Sequence, residues 1–201
     1  MLVLASRSPT RRRMLENAGI RFEAETAEID ERELESAARR DGAGIHEAAL
    51  ALSAAKALAG SAIRPDDLVI GADQMLELDG QTLHKPRDRA AAVRQLGRLA
   101  ARTHRLHAAV SLARAGHVIW SHAATAELTM RACDETELRR IVDLEGDAIL
   151  DSVGAYRLEG PSVQLFSRIE GDYFTILGLP LLELIAALRH HAPEALSGVA
   201  T

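Results

Sequence analysis

Two long strand-like runs, residues 104–113 and 117–128, are joined by a tight turn at Ala115-Gly116. A hairpin of this kind makes its two strands antiparallel. The segments before it alternate short apolar runs with stretches of helical composition, the order of strands linked by crossover helices. An α/β fold with a mixed sheet accommodates both patterns and is the expected architecture.

The flanking segments fill in that outline. Residues 2–5 read as a short buried strand running into Ser6-Arg7-Ser8-Pro9, and then into a helix over 10–18 closed by Gly19. Ser8 is placed to cap this helix, with Pro9 at its first position. Residues 21–24 suggest a second strand, 28–35 an acidic connection, and 45–60 a helix ending in glycine. A continuous apolar strand over 67–72 ends at Asp73, and 75–78 continue as a strand to the turn at Asp79-Gly80. Residues 87–101 are helical in composition. Residues 134–144 form a capped helix, with Asp134 and Glu137 spaced as a capping box. Residues 163–169 are strand-like, and 179–190 form a last amphipathic helix. No repeat, low-complexity tract or linker divides the chain, so residues 1–201 are expected to form a single domain.

Composition excludes several classes of function. With 47% apolar and 26% charged residues over 201 positions, the chain has the make-up of a globular protein. The single cysteine, Cys133, allows no internal disulfide and points to a reducing cytoplasm. The best candidate membrane span, 176–188, is interrupted by Pro180 and Glu183, and the N-terminal apolar run precedes its arginines, unlike a signal peptide. A net charge of −5, with three Phe, two Tyr and one Trp, argues against a nucleic-acid surface, including one built on Arg11, Arg12 and Arg13. The phosphate loop, the dinucleotide fingerprint, the serine-hydrolase elbow and the zinc-protease helix are all absent as motifs.

A few places retain chemistry. Ser6 and Ser8 follow a strand and precede a helix whose first turns carry Arg11 and Arg12. Free backbone N–H groups, hydroxyls and guanidinium groups there suit an anion such as phosphate. Asp73, at the expected end of a buried strand, is placed as carboxylates facing a ligand crevice often are. Of 24 basic residues 22 are arginine, so lysine survives only at Lys56 and Lys85. Glycines at 154, 160, 171 and 178 mark turns or close backbone approach.

In order, Leu4-Ala-Ser-Arg-Ser-Pro9, Ile29-Asp-Glu31, Lys56-Ala57, Val69-Ile-Gly-Ala-Asp73, Leu78-Asp-Gly80 and Lys85-Pro86 resemble the Maf family of nucleotide pyrophosphatases. Gly154-Ala-Tyr156, Glu159-Gly160, Ile169-Glu-Gly-Asp-Tyr173 and Gly178-Leu-Pro-Leu181 extend the resemblance to nearly the whole chain. Both lysines fall where the family uses lysine. The resemblance implies a two-lobed fold with a long twisted mixed sheet flanked by helices, similar to the inosine-triphosphate pyrophosphatases, and a nucleotide cleft between the lobes. It implies hydrolysis of a nucleoside triphosphate between its α- and β-phosphates, with a divalent cation (Mg, Mn or Co). Asp73 would then be the proton acceptor or a metal ligand. Ser6, Ser8, Arg11, Arg12, Lys56 and Lys85 would hold phosphates, and Glu31 would help place the metal.

Thr10 and Ser152 depart from the arginine and lysine that many members carry, which leaves Arg7 and Arg157 as candidates to take over phosphate contacts. Thr10, Gln74 and Glu159 occupy the positions that track base preference. Gln74 and Glu159 resemble the 7-methyl-GTP type, and Thr10 does not match it. A glutamate can accept from the N1–H and N2 amine of a guanine edge, so guanine-type or methylated purine triphosphates are expected. A dTTP/UTP-preferring enzyme and a catalytically weak nucleotide-binding regulator of cell division are the alternatives. A homodimer is compatible with the resemblance, and neither a membrane nor a nucleic acid is expected as partner.

Overall fold

The computed structural model describes residues 1–26, 29–40 and 42–196. β1 (Leu2–Ala5) leads into α1 (Pro9–Asn17), β2 (Glu23–Glu25), α2 (Glu31–Arg40), α3 (Ile45–Ile63), β3 (Leu68–Leu78) and β4 (Gln81–Leu83). Next come α4 (Arg89–Leu99), β5 (Thr103–Arg114), β6 (His117–Met130) and α5 (Glu135–Glu145). β7 (Phe166–Glu170), the one-turn α6 (Tyr173–Ile176) and α7 (Leu181–His191) follow. The strands form a seven-stranded sheet in the order β2-β1-β3-β5-β6-β7, with β4 paired to β3. β1 is parallel to β2 and β3, while β3–β4 and β6–β7 are antiparallel, so the sheet is mixed as the hairpin requires. Among the described residues no helix is long and apolar enough to cross a membrane.

The chain divides into two compact units, one of residues 1–74, 107–124 and 172 onward, the other of 75–106 and 125–171. In the first, the period-two alternation of a strand decides which side chains face which layer. Leu2, Leu4, Leu68 and Ile70 pack with Met14 and Leu15 of α1 and with Leu184 and Leu188 of α7. Val3, Ala5 and Val69 face the other way, toward Gly60 of α3, where an added Cβ would lie 2.7 Å from Val69 Cγ1. Helices therefore cover both faces, which is why β1 and the start of β3 are unbroken apolar runs. The β5–β6 turn has left-handed φ angles of 49° at Ala115 and 76° at Gly116, as a two-residue hairpin turn demands.

Several expectations are corrected. The acidic connection is largely α2: Asp30 Oδ1 accepts from the Glu33 N–H at 3.0 Å, acidic residues fill the first turn, and Arg39 and Arg40 end it. Glu28, its expected start, lies outside the described residues. The second strand begins at Glu23, two residues later than expected. α3 runs past Gly60 to Ile63, because that glycine is used for contact with β1 and β3 and does not end the helix. Asp73 lies within β3, which is one strand of 11 residues. Its parallel partner β1 ends opposite Gly71, and β3 continues to pair with β4. Residues 161–165 form a 3-10 turn, so β7 begins only at Phe166. The capping box is half formed: Asp134 accepts from the Glu137 N–H at 2.8 Å, but the Glu137 carboxylate pairs with Arg131.

The second unit contains a buried histidine. His104 Nε2 lies 2.8 Å from the Tyr156 hydroxyl, its ring lies near Phe166, and its Nδ1 has no hydrogen-bond partner among the described residues. Burial lowers its pKa from 6.5 to about 4, and raises that of Tyr156. Between these values the unfolded chain binds a proton that the folded chain does not. Stability from this group is therefore complete above pH 6.5 and falls as the pH drops toward 4. Denaturant melts at pH 7 and pH 5 should differ by about 2 kcal/mol on its account, and His104→Gln should remove that part of the difference.

Candidate active site

The strand-to-helix turn after β1 places the first group of residues. Ser8 caps α1 by accepting the Arg11 N–H at 3.3 Å, and Ser6 Oγ accepts the Ser8 N–H at 3.2 Å. Both hydroxyls are thus fixed at the helix N-terminus, where the helix dipole favours an anion, although Pro9 has no N–H and those of Arg11 and Arg12 are taken by Ser8. Thr10 is half-buried in the first turn, and Arg12 is exposed.

The catalytic candidate is built by a close approach between α3 and β3. A Cβ at Gly71 would sit 2.2 Å from the Ser53 carbonyl oxygen and 2.3 Å from the Ala57 nitrogen, so only glycine lets the two backbones touch here. Lys56, beside Ala57, thereby reaches Asp73, two residues beyond Gly71. Its Nζ donates to Asp73 Oδ1 at 2.6 Å and lies 3.0 Å from Glu31 Oε1 at the start of α2. Asp73 is 6% exposed and the Lys56 side chain 12%. Lys56 and Asp73 thus form a largely buried ion pair, whose desolvation is costly, while the half-exposed Glu31 meets the same ammonium.

Arg11 and Gln74 frame Asp73. Arg11 Nε donates to the Gly178 carbonyl at 2.8 Å, and Nη1 donates to the Ala72 carbonyl at 3.0 Å and to Ser6 Oγ at 3.4 Å. Burial lowers the pKa of this guanidinium, against the opposing pull of Asp73 and Glu31. Gln74 Nε2 donates to the carbonyls of Thr175 and Ile176, at 3.2 and 2.9 Å. With both amide protons committed, Gln74 retains only an acceptor. Gly178 has a φ of 97°, and a Cβ there would meet Gln74 Oε1 at 3.1 Å, so its missing side chain makes room for the amide.

The structure thus brings Ser6, Ser8, Arg11, Glu31, Lys56, Asp73 and Gln74 together in the first unit. Lys85 and Glu159 belong to the second. Lys85 is exposed between β4 and α4, before the buried Pro86. Ser152 Oγ accepts the Gly154 N–H at 3.3 Å, which shapes the turn entering the glycine-bearing loop. Glu159 lies 3.4 Å from Arg157, whose guanidinium also approaches Glu145.

Glu145 was not found by sequence reasoning. It follows Leu138, Ile141 and Val142 at helical spacing on the buried face of α5, so a charge on an apolar stripe was the available signal. Among the described residues no three His, Cys, Asp or Glu side chains converge as a metal cage. Glu31 and Asp73 supply a pair of hard oxygen donors. That suits Mg²⁺ or Mn²⁺, which are commonly held by one or two carboxylates together with substrate phosphates and water.

A family model described as Maf-like protein matches residues 1–191. A 7-methyl-GTP pyrophosphatase from Rhizobium etli is 51% identical over 188 residues, 94% of each chain. Another so named, from Brucella abortus, is 49% identical over the same shares. A nucleoside triphosphate pyrophosphatase from Nitrobacter winogradskyi is 48% identical, covering 94% of this chain and 92% of its own. A solved nucleoside-triphosphatase / dITP/XTP pyrophosphatase from Mycobacterium abscessus aligns with a TM-score of 0.43 at 18% identity, too slight a likeness to argue from.

Proposed function

This chain belongs to the Maf-like protein family, and from that premise we propose that it hydrolyses nucleoside triphosphates to the monophosphate and pyrophosphate, favouring guanine nucleotides modified as in 7-methyl-GTP. The observation that carries the reading is the Lys56 ammonium held between Asp73 and Glu31, beside a serine-bearing helix N-terminus.

A triphosphate tail competes with the two carboxylates for that ammonium. Once Lys56 turns to phosphate, the Asp73 carboxylate is released to take a proton. In the proposed step, a water oxygen bonds to the α-phosphorus, its proton passes to Asp73, and the bond between the α-phosphorus and the bridging oxygen breaks, releasing pyrophosphate. Ser6, Ser8, Arg12, Lys56 and Lys85 would hold the phosphate oxygens. Glu31 would help hold a divalent cation, which would neutralise charge on the departing oxygens; Asp73 as its second ligand is the alternative to Asp73 as proton acceptor.

Arg11 fits a different duty, since three of its donor contacts go to Gly178, Ala72 and Ser6. The bond to the Ala72 carbonyl fixes the backbone just before Asp73. Arg11→Lys keeps a charge and loses the fork. It should lower kcat by about 30-fold while moving KM by less than about threefold. Steady-state kinetics would check this. A rise in KM at unchanged kcat would instead make Arg11 a phosphate ligand.

For the base, Glu159 accepts from the N1–H and N2 amine of guanine, a donor pattern that a pyrimidine does not offer. Methylation at N7 adds positive charge to the ring, which an anionic partner favours further. The test is pyrophosphate release from 7-methyl-GTP, GTP, dTTP and UTP with Mg²⁺ or Mn²⁺. 7-methyl-GTP should be turned over fastest. UTP or dTTP outpacing every guanine nucleotide would overturn the preference, and no release from any would overturn the activity.

A further inference from the structure

Glu145 is a carboxylate where the packing of α5 calls for an apolar side chain. Its side chain is 1% exposed. Oε1 accepts from both the N–H and the hydroxyl of Ser162, at 2.9 and 2.6 Å. Oε2 makes no hydrogen bond among the described residues, and its nearest cation is Arg157 Nη1 at 3.5 Å. Gly160 presses against the same carboxylate, since a Cβ there would stand 2.6 Å from Oε1. These partners all lie between 157 and 162, around Glu159. Arg157 Nη2 donates to the second carboxylate there, Glu159 Oε1, at 3.4 Å, while it meets Glu145 as an ion pair without a hydrogen bond.

A leucine at 145 would satisfy the helix face without the desolvation cost of a buried anion. The carboxylate therefore acts on the loop. Arg157 stands between two anions, and each limits how fully the guanidinium neutralises the other.

We infer that Glu145 is a positioning residue for base selection: it anchors the 157–162 loop through Ser162 and, by sharing Arg157 with Glu159, limits how far that guanidinium offsets the negative potential Glu159 presents to the purine. The inference rests on the reading of Glu159 given above, and extends it to a residue that need not touch the nucleotide.

The quantity to measure is the ratio of kcat/KM for 7-methyl-GTP to that for UTP. In Glu145→Gln the amide still accepts from Ser162, but Arg157 is left to Glu159 alone. The ratio should fall by about tenfold, with the loss in KM for 7-methyl-GTP. Arg157→Met should raise the ratio by about threefold, and in that background Glu145→Gln should no longer change it. A Glu145→Gln protein with a lowered melting temperature and a ratio within about twofold of wild type would make Glu145 merely structural and overturn the inference. Should that variant not fold, Arg157→Met alone decides: a raised ratio supports the inference, and an unchanged or lowered one overturns it. A wild type with no turnover, or with UTP preferred, sinks the functional reading and this inference together. A wild type that discriminates, beside variants that discriminate equally well, sinks only this inference.

Discussion

Asp73→Asn is expected to lower kcat for pyrophosphate release by about 10³-fold, or about 4 kcal/mol of transition-state stabilisation, with KM changed by less than about threefold. Asparagine has nearly the same shape, so β3 and its contacts with α3 persist. What it lacks is an anionic oxygen to take a proton from water. Lys56, now 2.6 Å from Asp73 and 3.0 Å from Glu31, would keep the second carboxylate as partner and remain available to phosphate. Nucleotide binding should therefore outlast turnover, and equilibrium titration of the variant separates the two. A variant retaining more than about a tenth of wild-type kcat would remove Asp73 from the chemistry.

Gly71→Ala should be the most damaging small change in the first unit. The added methyl would lie 2.2 Å from the Ser53 carbonyl oxygen and 2.3 Å from the Ala57 nitrogen, both backbone atoms of a helix that cannot yield by rotating a side chain. Either α3 lifts away from β3 or the strand buckles. The cost is about 3 kcal/mol, a fall of roughly 10 °C in Tm for a chain of this size. Because Lys56 rides on the same helix, activity should fall well below what the remaining folded fraction explains. Gly97→Ala on α4 is the control, since its added carbon would meet nothing closer than Leu138 at 3.9 Å. It should be neutral or slightly stabilising. Thermal melts of the two variants decide the matter, and equal Tm values would refute the close-packing argument.

What was legible in the sequence was mostly what short-range chemistry writes there. Ser8 and Pro9 announced α1 because a cap and a fixed φ act within one turn, and Ala115-Gly116 announced the hairpin for a similar reason. The reading of 28–35 as a connection missed α2 because its apolar stripe is short, Leu34, Ala37 and Ala38 at helical spacing, and is set among charged residues with none of the helix buried. Its signal was the placement of acids at one end and arginines at the other. The apolar run stops before Asp73 although the strand does not, because a chain pattern cannot show where a partner stops; β1 ends opposite Gly71 while β3 goes on. The candidate site residues were chosen by type and by the order of the segments that resemble the family, yet the pairing of Lys56 with Asp73 depends on a backbone contact that no local rule encodes. Arg11 shows the same limit. Its carbonyl partners, Ala72 and Gly178, lie 61 and 167 residues away along the chain.

The scarcity of lysine has a practical consequence at the bench. Acylating reagents attack primary amines, and the side chains of this sequence offer Lys85 at the surface, with Lys56 shielded between two acids. Twenty-two guanidinium groups stay silent under the same treatment. A fluorophore or crosslinker can therefore be directed to very few places on the native protein without engineering a cysteine, and each modified peptide names its position unambiguously in a mass spectrum.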